Sequence, residues 1–368
     1  MKRASSNPKA KGYTLVTFAV CIFALIAVAG LAIDIGRIYI AKNEAQTFSD
    51  SAALAATLEL DGTGAGISRA RLQVSGNTNR WNLQTSSFTD PEVSFAKIAT
   101  GPWELNPVNP AGYRYTRVVG NAAVPLSFLS ILNTGQPAFA MPLGLLMLGS
   151  TLTVKGDSGA GQEPKNTFRE GLFPFSPFAQ NNVGPDFGLI PGQHYTLRWP
   201  STPKVNQNTC PGDNTQAMVD LAQAGGGSER GYIESSSADL IRQTIVDDYQ
   251  SVTRSIGDAV DMTGGAKQSQ LDSLMTRIGQ DADPTRSTFA AYSGAQMGNG
   301  RRMIAAPINT GYPNYRIVQI AAFLLLPTSE YKNGGSQPWC AEYVGAWVQG
   351  SKNKGAGTPG AYVARLTR

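Results

Sequence analysis

From Tyr13 to Ile33 the chain carries 21 consecutive uncharged residues, YTLVTFAVCIFALIAVAGLAI. About 20 apolar residues cross a bilayer core as a helix. The run therefore predicts a membrane span through Tyr13, Phe18, Leu25, Gly30 and Ile33. The helical pattern continues beyond it through DIGRIYIAKNEAQTFSDSAALAATLEL. There Ile38, Ala41, Ala45, Phe48, Ala52 and Ala55 recur at alternating spacings of three and four, the seam of a coiled-coil-like helix. Most of the seam is alanine, and small seam residues let backbones approach closely. Two uses of it stay open: packing on the chain's own body, or bundling with like helices of other subunits. Asp61-Gly62-Thr63-Gly64 ends the helix with turn chemistry.

Downstream the periods shorten. Ile67–Leu83 reads as a second, weaker helix, and Glu92–Thr100 as a strand. Tyr113–Val119 alternates, with Tyr113, Tyr115, Arg117 and Val119 on one face. Val118–Val154 contains no charge, but Pro125, Pro137 and Pro142 cut it into pieces too short to span a bilayer. It predicts core strands and a short helix around Leu126–Leu132; a surface that meets the membrane or a partner is the alternative. Lys165–Leu197, rich in Pro, Gly, Phe and Asn, reads as an ordered loop region pinned by aromatics. Helices are expected over Ser237–Ile256, with Ile241, Ile245, Tyr249, Val252 and Ile256 on one face and Ser236 as N-cap, and over Ala266–Ile278. Strands return at Arg302–Ile308, Tyr315–Leu326 and Ala341–Val348, and Tyr362–Leu366 reads as a short edge strand.

The fold class expected is α+β: a long N-terminal transmembrane-plus-stalk helix, then a strand-rich domain with a helical and loop insertion. The divisions are a basic segment 1–12, a transmembrane and stalk helix 13–61, a strand-rich part 62–159, an insertion 160–300, and a strand-rich part 301–368 that completes the sheet. Two consecutive domains are the alternative.

Charge sets the topology. Net charge is +5, and Lys2, Arg3, Lys9 and Lys11 precede the apolar run. The positive-inside rule then places residues 1–12 in the cytoplasm and the body outside it, as a single-pass protein. A cleaved signal peptide is the rival, but its apolar region spans 7–15 residues and this one is longer. The body has no clustered basic face, which argues against a nucleic-acid partner. Cys21 lies in the span, while Cys210 and Cys340 lie far apart in the body. An extracytoplasmic body permits a Cys210–Cys340 disulfide; two reduced, buried cysteines are the other reading, because sequence carries no geometry.

Candidate chemistry is sparse. Gly156-Asp157-Ser158-Gly159 copies the tetrapeptide around a trypsin-like nucleophile, yet the single histidine, His194, follows the serine, against the trypsin-like order. A turn after a Leu152–Lys155 strand accounts for these residues. One histidine and two separated cysteines make a poor zinc set. Gly225-Gly226-Gly227 lacks the Lys-Ser/Thr of a phosphate loop. The carboxylates of Asp281-Ala282-Asp283 and Asp247-Asp248 fall short of the six or more oxygens calcium takes, and Asp283-Pro284 reads as a turn. No catalytic residue, metal or cofactor is expected.

The N-terminal string resembles the Tad-type (Flp) pilus-assembly proteins, the TadE/TadG-like family. The resemblance rests on Gly12, on AGLAID-x-GR at Ala29–Arg37, on the tyrosine that follows, and on S-D-x-A-A-L-A-A at Ser49–Ala56. It covers about 50 residues. Members are single-span inner-membrane proteins of the machinery that builds thin adhesive pili, which implies a bacterial inner-membrane protein with a periplasmic or extracellular body. Related pseudopilins are cut after a glycine and carry Glu at the fifth mature position; here that position is Thr17, which implies an uncleaved anchor. The D-x-S-x-S metal motif of many TadG-like proteins does not occur. The resemblance implies a membrane-anchored, non-enzymatic component of pilus assembly or secretion, acting by helix bundling and protein contacts. Its partners would be the bilayer, other pilus-assembly or pilin-like proteins, and further copies through the stalk helix. The alternative is an anchored or secreted binding module or hydrolase that uses the aromatic loops 168–199. Trp103, Trp199 or Trp339 would then serve as contacts, or Ser158, His194 and Asp213 as the reactive set.

Overall fold

Helix α1 runs unbroken from Lys9 to Leu58, about 75 Å at the α-helical rise. The computed structural model describes residues 9–76, 80–81, 86–126, 151–200, 208–224, 229–233, 237–265, 268–294, 298–311, 313–334 and 337–367. The 127–132 part of the expected short helix, the Gly225–Gly227 turn and Ser236 lie outside them. Among the described residues, α1 is the one helix long and apolar enough to cross a membrane. Tyr13, Phe18, Leu25 and Ile33 are exposed on it, whereas Gly30 is buried. Helix α2, Gly64–Gly76, follows the turn and buries Ile67, Ala70 and Val74. It stops short of the expected Leu83, because Arg80–Trp81 pairs instead with Ser86–Ser87.

The body is organised on one eight-stranded sheet. Its strands are β1 (Thr89–Ala96), β2 (Tyr115–Pro125), β3 (Thr151–Pro164), β4 (His194–Arg198), β5 (Met303–Asn309), β6 (Ile317–Leu325), β7 (Trp339–Val348) and β8 (Gly360–Thr367). Their order is β5-β6-β7-β8-β3-β2-β1, with β4 on the first half of β7. Only β7 and β8 pair in parallel; every other pair in this sheet is antiparallel. The class is α+β, as the pattern predicts.

The apolar run at Tyr315–Leu326 follows from burial on both faces. Helix α3 spans Thr215–Ala224, and Ala321, Phe323 and Leu325 of β6 face a core with helices α4 (Ala238–Asp247) and α5 (Leu271–Gly279). Ile320, Ala322 and Leu324 face a second core with Trp199, Met303 and Trp347. A third core lies between α1, α2 and the β1–β3 end.

Three local expectations are corrected, and the two faces of β2 are told apart. The Gly156–Gly159 stretch is not a turn; β3 passes straight through it. The C-terminal strand β8 is not at an edge. It sits between β7 and β3 and joins the two halves of the sheet. On β2 the face that includes Arg117 and Val119 is the more open one; Thr116, Val118, Gly120, Ala122 and Val124 are buried, because α1 lies on them. The helix expected to reach Ile256 ends at Asp247, where Asp248 turns left-handed at φ 57° and α4 is capped instead by Ser237. Tyr249 and Val252 are accordingly exposed.

The aromatic side chains of the loops 168–199 belong to the core. Phe168, Phe173, Phe175, Tyr195 and Trp199 are buried, and Phe175 packs against Tyr232 and Trp339 at centroid distances of 4.5 and 5.6 Å. Cys210 and Cys340 are bridged, S–S 2.01 Å, which ties the loop after β4 to β7.

Candidate functional site

The largest construction shared between the N-terminal segment and the body is the seat of α1 on β2 and β3. The seam does not face outward. Ala41, Ala45, Phe48 and Ala52 are buried in the chain's own core, with Ser49, Ala53, Ala56 and Thr57 beside them. Ile38 and Ala55 are only partly buried. A straight α-helix drifts by about 20° per heptad from a strict seven-residue repeat, so Ala56 replaces Ala55 at the contact. Of the two uses left open for this seam, packing on the chain's own body is the one these contacts make: its neighbour is the sheet.

Glycine makes the close approach. Gly120 and Gly156 are opposite each other across β2 and β3. A Cβ on Gly156 would lie 2.0 Å from Ala45 O, and one on Gly120 would lie 2.7 Å from Phe48 Cδ1. The helix therefore rests on bare strand backbone, with Phe48 stacked on Phe88 at 4.5 Å. Sequence reasoning missed this pair. An isolated glycine inside a strand pattern marks close backbone approach, and Gly120 in RVVGNAAV carried that signal.

Polar groups fix the register. Thr116 Oγ1 donates to Ala53 O (2.9 Å) and lies 2.6 Å from Thr57 Oγ1. Gly120 N donates to Ser49 Oγ at 3.2 Å. The C-terminal carbonyls of a helix lack intrahelical donors. Here buried Gln162 supplies Nε2 to Thr57 O (2.9 Å) and Leu60 O (2.8 Å), and its Oε1 accepts from Ala356 N (2.9 Å). Ser351 Oγ donates to Leu58 O at 3.1 Å, and Asn353 Nδ2 to Glu59 at 2.9 Å. Arg69 of α2 bridges Glu59 (3.0 Å) and Asp61 (2.7 Å). Burial pushes the Asp61 carboxyl up, but hydrogen bonds from Thr63 and Arg69 outweigh it and hold the group below its usual range.

The helix also covers a strand edge. Strand β8 pairs with β3 only as far as Gly159. Below that point Gln46 takes the place of a strand: its Nε2 donates to Asp157 O (3.1 Å) and its Oε1 accepts from Asp157 N (3.4 Å). Lys42 Nζ donates to Lys155 O. An uncovered edge invites pairing with another chain, and these side chains occupy it. A cleft of about 470 Å³ opens where β8 stops, lined by Gln46, Asp50, Trp103, Arg117, Asp157 and Leu366. Within it Arg117 Nε donates to Asp157 Oδ1 at 2.8 Å and holds that carboxyl below its usual range. A smaller cleft of about 260 Å³ is lined by Asp248, Arg277, Arg301, Trp347 and Gln349. Asp248 bridges both of its arginines.

The reactive candidates are not assembled. Ser158 is mid-strand opposite Val118. His194 opens β4 opposite Glu342. The Asp213 carboxylate accepts from Thr196 N (3.3 Å), Thr196 Oγ1 and Cys210 N (3.0 Å); burial nevertheless pushes its pKa up to about 6. Trp199 and Trp339 are buried and Trp103 is half-buried. Asp281 accepts from Tyr292 Oη (2.7 Å) and from the backbone of Asp283 and Arg302, so its oxygens stabilise a turn. Among the described residues no group of three or more His, Cys, Asp or Glu side chains is placed to hold a metal ion.

Residues 12–65, the helix and its turn, match the Tad family, described as "Putative Flp pilus-assembly TadE/G-like". No curated protein and no solved structure matches the chain.

Proposed function

We propose that this protein is a membrane-anchored component of a Tad/Flp-type pilus-assembly or secretion apparatus that acts through protein contacts rather than catalysis. The observation that carries the reading is the coincidence of the matched segment, 12–65, with the helix that the body grips. In this reading Tyr13–Ile33 is the span, residues 1–12 are cytoplasmic, and 62–159, 160–300 and 301–368 form one body outside the inner membrane. The uncharged run and its basic flank support that orientation.

With the alanine seam occupied, the face left for partner helices is the opposite one. Ile35, Tyr39 and Ile40 are exposed away from the seam at 54, 68 and 56%. Exposed large apolar residues that cluster mark contact surfaces, and Ile35 and Tyr39 are one turn apart. Further copies of this chain or pilin-like subunits are the proposed partners. A photo-crosslinking amino acid at position 39 in cells tests this, together with Tyr39→Asp. The expected result is a crosslink to a pilus-assembly protein or a second copy, and loss of surface pili at unchanged protein level and melting temperature. Normal piliation in Tyr39→Asp, with no crosslink, would sink the reading.

A further inference from the structure

Helix α1 and strand β3 run side by side in the same direction: Lys42 meets Lys155, Gln46 meets Asp157, and Thr57 meets Gln162. From Lys42 to Thr57 the helix rises about 22 Å. From Lys155 to Gln162 the strand rises about 23 Å. The two axes are therefore close to parallel, and levels along one can be read on the other.

Strand β3 continues towards the membrane end for four residues below Lys155, to Thr151, which pairs with Pro125 of β2. Those residues cover about 13 Å, which equals about nine helix residues. Thr151 and Pro125 thus stand level with Ile33, where the apolar run ends. Packing agrees, since Leu152 and Ile38 lie against the same core as Val124 and Val154. On this ribbon Ala123, Pro125, Thr151 and Thr153 are exposed. The sequence carries no Asp, Glu, Lys or Arg from Val118 to Val154, so the charges nearest the ribbon end on its two strands are Arg117 and Lys155.

We infer that the membrane-facing end of the β2–β3 ribbon is a second bilayer contact, seated at the headgroup–acyl boundary beside the span. This rests on the anchor reading above. A bilayer is favoured over a protein occupant because the ribbon end coincides in height with the end of the span. A body held by a single helix can tilt and rotate over the membrane. One held by a span and a ribbon presents a fixed face, which a docking component of an assembly requires.

The test uses the full chain in vesicles of phosphatidylethanolamine and phosphatidylglycerol containing doxyl-labelled lipid. An environment-sensitive fluorophore is attached at Thr151→Cys or Thr153→Cys in a Cys21→Ser background. Val108→Cys, in the far loop and 99% exposed, is the solvent control. The native Cys21, exposed on the span, reports on the anchor. Cys210 and Cys340 are bridged and take no label. The expected result is doxyl quenching severalfold stronger at 151 and 153 than at 108, with blue-shifted emission. Equal, weak quenching at 151, 153 and 108 beside a strongly quenched Cys21 probe overturns the inference and leaves the anchor standing; a protein occupant of the ribbon end gives this outcome. An unquenched Cys21 probe overturns both.

Discussion

Gly156→Ala adds one methyl group and should be among the most damaging small substitutions in the protein. The new Cβ would lie 2.0 Å from Ala45 O, 2.3 Å from Ala45 C and 2.7 Å from Gln46 N. These are backbone atoms of a helix whose end is held by Gln162, so no side-chain rotation relieves the overlap. Carbon atoms pack at about 3.5–4 Å, so α1 must lift by roughly 1.5 Å. A gap of 0.5–1 Å already forfeits about a quarter to a half of a dispersion well, and it would open beneath Ala41, Ala45, Phe48 and Ala52. Overpacking alone costs about 1–3 kcal/mol. With the lost contacts we expect about 4 kcal/mol, which lowers the melting temperature of a chain of this size by roughly 5 °C, read by scanning fluorimetry of the full chain in detergent. Gly36→Ala is the matched control. It lies in the same helix with no neighbour within 4 Å of its Cβ, and should stabilise by up to about 1 kcal/mol. Ala45→Gly should not rescue Gly156→Ala, since the overlap is with backbone. Phe48→Leu should partly rescue Gly120→Ala, where the overlap is with a ring. A Gly156→Ala protein that melts within about 2 °C of the parent refutes the reasoning.

Two further outcomes follow from groups around the seat and the disulfide. Gln162→Leu strands Thr57 O, Leu60 O and Ala356 N; it should cost about 2–4 kcal/mol and expose the α1–α2 turn to limited proteolysis, and unchanged proteolysis would count against the cap. Asp213 has a folded-state pKa of about 6 against 3.8 for the free carboxyl, so the folded state binds the proton more tightly. Its contribution is fully present below about pH 4 and is lost as pH rises to about 6. Asp213→Asn should therefore gain stability relative to the parent, by up to about 3 kcal/mol, as pH rises from 4 to 7; a pH-independent difference in melting temperature would refute the assignment.

What could be read from the sequence was what depends on neighbours in the chain. The apolar run at Tyr315–Leu326 became β6 because burial on both faces leaves no polar positions. The alternation near Tyr115 gave β2. The misreadings trace to distant partners. Gly156–Gly159 has turn composition, yet its glycine is there to admit α1. Strand β8 looked like an edge because its neighbours β7 and β3 come from opposite ends of the body. Helix α4 stops at Asp248 because that residue's carboxylate reaches Arg277 and Arg301, 29 and 53 positions further on. Both uses of the alanine seam fitted its spacing; the matching Gly120 and Gly156, which admit α1 onto the sheet, lie too far along the chain for that spacing to show.

The capping of α1 by Gln162, Ser351, Asn353 and Ala356 has a consequence for biogenesis. Ribosomes add about 5–20 residues per second, so α1 is made roughly 15–60 s before the β7–β8 crossover that closes over its end. The strands that cover the alanine face, β2 and β3, are complete at Pro164, about 105 residues and so roughly 5–20 s after α1; until then that face lacks its cover, and the contacts from Ser351, Asn353 and Ala356 come only at the close of the longer interval. Completing the cap of α1 is therefore a late event in maturation, and before β3 is made the nascent chain has a window in which its alanine face is as free as the stalk of a helix-bundling subunit. Quality control or a chaperone that recognises this protein would have most to grip in that window, and ribosomal stalling before Pro164 would prolong it.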